Sequence, residues 1–317
     1  MLTALAVENY RSLRRLVLPM ERLNVVTGAN GSGKSNLYRA LRLLADSARN
    51  GAVAALAREG GLASTLWAGS PGAGRSLRQG RPLVQGGNER RLLLGFAGDA
   101  FGYAMDLGLP PPAPTMFGSD PEIKAESVWA GPVLRPAALL ADRGASGTVR
   151  IRRGSGDWDR LPLQTIREIG DNQAMDDAIG HAFPGSSIEI TGDGGRFELT
   201  LRQPGLLRPL RAAEVSDGTL RYLLWAACLL TPRPPELLVL NEPETSLHPD
   251  LIGPLANLIV TASASTQIIV VTHAQPLVTA LQDGSAHTIE LIKEDGRTLV
   301  ADQGILDEPA WHWPGRR

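Results

Sequence analysis

The sequence predicts an α/β fold in which a mixed, partly parallel sheet is flanked by helices and carries an antiparallel β insertion. Three observations predict it across the 317 residues. A buried strand runs directly into a glycine-rich turn and then a helix, short strand-like runs crowd the middle of the chain, and strand and helix patterns alternate through the last third. Alternation of this kind is typical of helices that cover a sheet with parallel neighbours.

The elements follow from periodicity, taken in chain order. Apolar and polar residues alternate in two short N-terminal strands, and the helix after the glycine-rich turn has leucines at helical spacing. Weak patterning over 50–87 predicts loops and short helices. The predicted strands are 2–7, 16–18, 23–27, 92–96, 103–107, 128–129, 149–152, 187–190, 197–201, 237–240, 268–271 and 288–292, and the later helices are 220–230, 251–261 and 275–282.

Composition narrows the class of protein. Hydrophobic residues make up 43% and charged residues 21%, as in an ordinary globular protein, and the net charge of -1 supplies no overall field toward nucleic acid or an anionic membrane. No apolar run approaches the roughly 20 residues of a membrane span. The one cysteine, Cys228, excludes a disulfide framework and favours a cytoplasmic protein. Its apolar surroundings predict a buried thiol.

The clearest motif is the run Gly28-Ala29-Asn30-Gly31-Ser32-Gly33-Lys34-Ser35, which fits the pattern G-x-x-x-x-G-K-[ST] between a strand and a helix. Glycines allow successive backbone N–H groups to surround phosphate oxygens, and the following helix directs its positive end at the same anion. Lys34 is predicted to reach the β- and γ-phosphates, and the Ser35 hydroxyl to bind Mg²⁺. The predicted nucleotide contacts are Asn30, Gly31, Ser32, Gly33, Lys34, Ser35 and Asn36.

An apolar strand that ends in carboxylates, Leu237-Leu238-Val239-Leu240-Asn241-Glu242-Pro243-Glu244, follows about two hundred residues later. With the glycine-rich turn, this strand resembles the paired motifs of ABC-type ATPases of the RecF/SMC/OLD group, above all its small ATPases. The resemblance spans nearly the whole chain. It implies a P-loop fold of the ABC type, ATP and Mg²⁺ as cofactors, and ATP hydrolysis.

The resemblance assigns catalysis to Glu242, which would polarise the attacking water. Asn241 stands where the family has an aspartate that holds a metal-bound water, so the expected metal contacts are Ser35 and, weakly, Asn241. An amide oxygen accepts a hydrogen bond but carries no charge. Slow hydrolysis is therefore expected beside firm ATP binding.

Four further stretches extend the resemblance. Thr272 and His273 end a strand as the family's switch histidine does, so His273 is expected to sense the γ-phosphate. Ser216, Asp217 and Gly218 resemble the signature loop, which meets the nucleotide of a partner subunit. Arg11 and Ser12, in the run Asn9-Tyr10-Arg11-Ser12, are expected near the nucleotide, and an exposed strand-end turn is the alternative. His248, in a stretch like the family's D-loop, is interpreted as a loop or interface residue rather than a metal ligand.

On this basis the chain is expected to be a single ATPase domain over 1–317. Its parts would be a P-loop lobe at 1–90, an antiparallel β and loop insertion at 91–160, and a lobe at 161–317 with the signature, the carboxylate strand and the switch histidine. ATP would draw two copies together.

The sequence is compatible with three biological roles. The resemblance favours DNA maintenance or phage defence, with DNA and a separate nuclease or effector protein as partners. Arginine groups at 75–81, 150–153 and 208–211 could contact phosphates, although solvated arginines on an ordinary surface are the favoured explanation. A slow nucleotide switch acting on a partner protein is the alternative, for which Trp311 and Trp313 would be a docking element unless they pack on the domain. A transporter subunit ranks third.

Overall fold

The computed structural model describes residues 1–67, 91–109, 121–144, 149–151, 172–193, 196–304 and 306–315. The strands in chain order are β1 (Leu2–Tyr10), β2 (Leu13–Pro19), β3 (Leu23–Thr27), β4 (Arg91–Gly98), β5 (Phe101–Gly108), β6 (Glu122–Ala130), β7 (Leu139–Gly144), β8 (Val149–Ile151), β9 (Ser187–Asp193), β10 (Arg196–Arg202), β11 (Leu210–Arg211), β12 (Leu237–Asn241), β13 (Gln267–Val271), β14 (His287–Glu294) and β15 (Arg297–Val300). The α-helices are α1 (Lys34–Asn50), α2 (Ala52–Arg58), α3 (Leu62–Thr65), α4 (Asn172–Ala182), α5 (Asp217–Leu229), α6 (Ile252–Ser263) and α7 (Gln275–Asp283).

The described strands form three sheets, which confirms the predicted mixed α/β class. A seven-stranded sheet has the order β2-β1-β4-β5-β6-β7-β8, a three-stranded sheet the order β11-β10-β9, and a five-stranded sheet the order β12-β13-β3-β14-β15. Neighbours in the seven-stranded sheet are antiparallel throughout. The strands predicted as an insertion therefore join the two N-terminal strands in one sheet.

By its internal contacts the chain divides into two compact units. The first comprises residues 1–21, 26–158 and 289–317. In it α1 packs against β1 and β4, with Leu37, Leu41 and Leu43 buried. Leu37 and Leu41 lie four positions apart on one helix face, as the leucine spacing predicted.

The two late tryptophans pack within this first unit. Trp311 makes edge-to-face contacts with Trp129, at 5.8 Å between ring centroids, and with Trp313, at 5.2 Å. Trp129 is 1% exposed and lies among Ala4, Ala97 and Ala104. Because aromatic surface of this size stabilises a fold when it is buried, the packing interpretation of Trp311 and Trp313 holds over the docking interpretation.

The second unit comprises residues 22–25 and 159–288. In it β12 and β13 run parallel, with Leu237 paired to Gln267 and Asn241 to Val271. Helices α5, α6 and α7 cover a core of buried residues that include Tyr222, Ile259 and Val270. The parallel pair confirms the expectation drawn from alternating strands and helices.

Two local differences from the sequence predictions have simple causes. Cys228 is only partly buried, because α5 turns it away from the stripe formed by Tyr222, Ala226 and Leu229. The prediction of a buried thiol is therefore wrong. Helix α4 was not predicted, and its amphipathic pattern is short, with Ala178 and Ile179 buried beside an exposed Gly180.

None of the helices in the described ranges is both long and apolar enough to cross a membrane.

Candidate functional site

The glycine-rich turn at 28–35 takes the backbone shape that its glycines permit. Gly28, Gly31 and Gly33 have φ angles of 138°, 80° and 113°, a region that other L-residues rarely adopt. A Cβ atom at Gly28 would overlap the carbonyl oxygen of Leu291, so a larger residue is excluded there by space as well as by conformation. Asn30 and Gly31 at the crest of the turn are exposed, whereas Ser32 and Gly33 are buried.

Lys34, the first residue of α1, folds back over this turn. Its Nζ donates to the carbonyl oxygens of Gly28 at 2.6 Å and Ala29 at 3.1 Å, and the residue is 7% exposed. The ammonium group is therefore held at the mouth of the turn, beside the N-terminal end of α1. Ser35, the next residue, is exposed in the first helical turn, where the helix dipole favours anions.

A chain of hydrogen bonds lies behind the turn, and one member was not predicted. Asn36 Nδ2 donates to Ser12 Oγ at 2.8 Å, and Ser12 Oγ lies 2.7 Å from Thr298 Oγ1. Thr298 Oγ1 in turn donates to the carbonyl oxygen of Ser32 at 2.7 Å. The structure thus places Ser12 and Asn36, two of the predicted nucleotide contacts, behind the turn, and it adds Thr298 from β15. No local sequence pattern marks Thr298, since 266 residues separate it from Ser32.

Arg11 lies next to Ser12 but is engaged elsewhere. Its Nη2 donates to Glu59 Oε2 at 2.7 Å, and the Tyr10 hydroxyl donates to the same oxygen at 3.2 Å. Burial, with a smaller contribution from Glu59, raises the pKa of Tyr10 above its usual value of 10.0. Arg11 itself has a φ of 50°, so the turn is strained where the guanidinium group is presented.

The carboxylate strand ends in a sharp turn within the second unit. Asn241 is exposed at the end of β12, and Glu242 has a φ of 48° while its N–H donates to the carbonyl oxygen of Val271 at 2.8 Å. Glu242 Oε1 lies 3.5 Å from His273 Nδ1. The two side chains that were expected to act on the nucleotide are therefore neighbours, and both are partly open to solvent.

A second carboxylate, Glu244, is buried in the same place and was not predicted as a site residue. Its Oε1 accepts a 2.6 Å hydrogen bond from Thr272 Oγ1 and lies 3.8 Å from His273 Nδ1. Its Oε2 is buried with no hydrogen-bond partner among the residues described. Thr272 therefore orients the carboxylate of Glu244. The sequence does carry one signal for Glu244, because the run Asn241-Glu242-Pro243-Glu244 contains a second carboxylate after that of Glu242.

The stretch 216–218 opens α5. Ser216 is the N-cap, and its Oγ accepts from the Thr219 N–H at 3.2 Å, while Asp217 sits in the first turn. A Cβ at Gly218 would lie 2.7 Å from the carbonyl oxygen of Ser246, so these backbones approach closely only because residue 218 is glycine. Trp225 Nε1 also donates to the Pro243 carbonyl at 3.0 Å. Helix α5 is thus fixed to the loop that follows β12.

Near this helix, Arg208 is paired with an acid. It donates to both carboxylate oxygens of Glu214, at 2.8 and 2.7 Å. These hydrogen bonds, with one from the Arg211 N–H, lower the pKa of Glu214 to about 2. The pairing offsets the positive charge that the sequence suggested for phosphate contacts. Arg75, Arg78, Arg81, Arg152 and Arg153 lie outside the described residues.

The predicted metal contacts, Ser35 and Asn241, are both oxygen donors, the kind of ligand that a hard cation prefers. No cluster of three or more histidine, cysteine or acidic residues that could hold a metal occurs in the described ranges. Mg²⁺ is commonly bound through one or two protein oxygens together with substrate phosphates. In the first unit the hydroxyl of Ser35 is an exposed oxygen donor, and in the second unit the amide of Asn241 is another. His248, which was interpreted as a loop or interface residue, caps the short 3-10 helix Pro249–Leu251, and its Nδ1 accepts from the Asp250 N–H at 3.4 Å.

Comparison with known proteins connects these features. The model of the family described as "AAA domain, putative AbiEii toxin, Type IV TA system" matches residues 23–85 and 138–280, more than half of the chain. A search of curated proteins by sequence gives no match.

Solved structures share the fold. The SMC head domain from Thermotoga maritima is 16% identical with a TM-score of 0.53, and the alignment covers 96% of this chain and 99% of that one. The Smc head domain with a coiled coil and joint from Pyrococcus yayanosii is 11% identical with a TM-score of 0.56, covering 97% and 98%. The Smc head domain from Pyrococcus furiosus, bound to the C-terminal domain of ScpA, is 13% identical with a TM-score of 0.52, covering 95% of each. At these identities the likeness establishes the fold alone, that of the SMC head domains.

Proposed function

This chain belongs to the AAA domain family whose model it matches, and from that premise we propose that it binds MgATP, hydrolyses it slowly and works as an ATP-closed dimer. One observation carries the proposal. The turn at 28–35 combines three glycines at positive φ with a lysine whose ammonium group is fixed at its mouth. Backbone N–H groups, a lysine and a helix N-terminus together form the anion site that a triphosphate requires.

For binding, we assign the phosphates to the turn and its flanking residues. Lys34 contacts the terminal phosphates as a point charge, and the amides of 30–36 surround the others. Mg²⁺, when bound, neutralises the charge on the phosphate oxygens. Ser35 would hold it through its hydroxyl, and Asn241 would contribute only a neutral amide oxygen.

For hydrolysis, we assign the base to Glu242 and the phosphate sensor to His273. Support comes from their 3.5 Å separation and from the strained Glu242 backbone, since strain of this kind concentrates at functional positions. Glu242 would orient and polarise a water, and His273 would donate a hydrogen bond to the γ-phosphate. The missing charge at Asn241 supports slow turnover, because phosphoryl transfer depends on electrostatic stabilisation.

For dimerisation, we assign the second contact with the nucleotide to Ser216, Asp217 and Gly218 of a partner copy. The N-terminal end of α5 offers positive potential at this position, where Ser216 and Asp217 are exposed and Gly218 is partly buried. The close packing of Gly218 on Ser246 supports a mechanical role, since a shift after β12 would reach the signature loop directly. ATP then closes the dimer, and loss of the γ-phosphate opens it.

The biological role that we propose is cellular defence. The family description names a toxin of a toxin–antitoxin system, which favours defence over DNA maintenance. The pairing of Arg208 with Glu214 reduces the support for direct DNA contact.

Titration of purified protein with MgATP, followed by sedimentation with and without nucleotide, tests the biochemical proposal. We expect saturable binding and a shift from monomer to dimer in ATP, reversed as ATP is consumed. An absence of any affinity for MgATP would end the proposal. Binding without dimerisation would leave the nucleotide site and remove the dimer.

A second candidate function is a nucleotide switch that acts on a partner protein with little turnover. The exposed, uncharged Asn241 favours it, because a switch requires binding more than rate. One of the similar head domains is bound to a domain of ScpA, which supports a protein partner for this fold. Single-turnover kinetics decide between the two. Bound ATP that persists over hours points to the switch, and steady release of phosphate points to the ATPase cycle.

A further inference from the structure

The hydrogen-bond chain behind the glycine-rich turn has a fixed direction. Thr298 Oγ1 lies 2.7 Å from the carbonyl oxygen of Ser32, and a carbonyl oxygen only accepts, so the threonine hydroxyl must donate there. A hydroxyl has one proton. The 2.7 Å contact between Ser12 Oγ and Thr298 Oγ1 therefore has Ser12 as its donor. Asn36 Nδ2 then donates into Ser12 at 2.8 Å, and the polarity runs from Asn36 to the Ser32 carbonyl without a break.

This chain fixes the orientation of one peptide group in the turn. The peptide between Ser32 and Gly33 is planar, and in the trans form its C=O and N–H point in opposite directions. The structure has no cis peptide bonds among the residues described. When Thr298 holds the Ser32 oxygen inward, the Gly33 N–H is directed away from Thr298.

The fit around Thr298 shows that the contact is specific. Thr298 is 1% exposed and Ser32 is 2% exposed, so water does not compete for the bond. A Cβ at Gly33 would overlap Thr298 Oγ1 and lie 3.0 Å from Ser12 Oγ. Position 33 thus requires glycine for two reasons. Its φ of 113° is unfavourable for other residues, and a Cβ atom would occupy the space of the Thr298 side chain.

We propose that Thr298 is a positioning residue for nucleotide binding, one that sets the Gly33 amide in the phosphate-binding orientation. The proposal rests on the proposed function, namely that the turn binds the phosphates of MgATP. It also gives Ser12 a role different from the one expected by resemblance. The one proton of the Ser12 hydroxyl is donated to Thr298. Ser12 therefore acts through this hydrogen-bond chain and does not donate to the nucleotide.

The test compares Thr298→Val, which keeps the shape and removes the hydroxyl, with Thr298→Ser, which keeps the hydroxyl. Loss of one such hydrogen bond, with the Ser32 oxygen left unpaired, is expected to weaken MgATP binding by about tenfold. Thr298→Ser is expected to restore most of the affinity. In the nucleotide-free protein, amide hydrogen exchange across 28–35 should rise in the valine variant and not in the serine variant.

Thr266→Val is the matched control. Thr266 is also buried, at 2% exposed, and its hydroxyl also donates to a backbone carbonyl, that of Pro235. We expect a comparable fall in melting temperature with unchanged affinity for MgATP. If Thr298→Val lowers the melting temperature but binds MgATP like the wild type, Thr298 only supports the fold and the proposal is overturned. A wild-type protein that does not bind MgATP would instead overturn the proposed function.

Discussion

Thr272 Oγ1 donates a 2.6 Å hydrogen bond to Glu244 Oε1, and both residues are buried where β13 meets the loop after β12. The other carboxylate oxygen, Oε2, is buried with no partner among the described residues. An acid group in this position depends on the hydroxyl beside it, because a buried polar atom without a partner is costly.

Thr272→Val should therefore lower the free energy of unfolding by about 2 kcal/mol, since it leaves the carboxylate of Glu244 without its donor. Thr272→Ser keeps the hydroxyl and should lie within about 0.5 kcal/mol of the wild type. Urea unfolding of the three proteins measures both values. Equal stability of the valine variant would show that another group satisfies Glu244.

Lys34→Ala should weaken MgATP binding by about 100-fold, because a charge-assisted hydrogen bond to phosphate contributes up to about 3 kcal/mol. The control is Lys293→Ala, a change of the same chemistry at an exposed strand position. Calorimetric titration of both variants gives the comparison. Matching affinities for the two variants would remove Lys34 from the site.

Glu242→Gln should bind MgATP but stay in the closed dimer, because the amide cannot act as a base while the contacts of the loop are kept. Glu236→Gln, an exposed acid just before β12, provides the control and should cycle normally. Sedimentation after incubation with MgATP distinguishes them. A Glu242→Gln protein that returns to monomer at the wild-type rate would show that another residue activates the water.

Asn241→Asp should raise Mg²⁺-dependent turnover by roughly tenfold, equivalent to about 1.4 kcal/mol in the barrier. The substitution keeps the size of the side chain and adds the charge that a metal-bound water favours. Phosphate release measured across a Mg²⁺ titration reports both rate and metal affinity. If neither changes, the metal draws its charge from a different group.

Gly218→Ala and Gly253→Ala form a matched pair in the first turns of α5 and α6. Alanine favours a helix over glycine by about 1 kcal/mol, so Gly253→Ala, with open space around its Cβ, should stabilise the protein. At Gly218 the new Cβ would meet the Ser246 carbonyl at 2.7 Å, and overpacking of this kind costs about 1–3 kcal/mol. Thermal unfolding should shift in opposite directions, and Gly218→Ala should also impair the ATP-dependent dimer. Stabilisation by both changes would show that the contact with Ser246 yields easily.

The local features could be predicted from sequence because they depend on neighbours in the chain. The turn at 28–35 and the strands at 23–27 and 237–241 follow from glycine spacing and apolar runs. The strands that pair with each other could not be predicted in the same way. Period-two alternation marked the first two strands but not their membership of the seven-stranded sheet.

The same limit explains the missed site residues. Thr298 shows no motif, and only the folded chain brings it against Ser32. Glu59 gave no signal as the partner of Arg11, 48 residues away. The apolar run of α5 suggested that Cys228 was buried, yet the helix leaves it partly open and leaves Leu224 70% exposed. A run of apolar residues shows only the composition of a helix. Which of those residues are buried depends on the face of the helix that packs against the core.

The contact between Thr298 and Ser32 also has a consequence for biosynthesis. The ribosome synthesises the glycine-rich turn more than 260 residues before the strand that carries Thr298. Chains elongate at about 5–20 residues per second. More than ten seconds therefore pass between synthesis of the turn and synthesis of Thr298, which donates the hydrogen bond to Ser32. During translation the nascent chain should therefore bind ATP weakly. Its affinity should reach that of the complete fold only after β14 and β15 have formed.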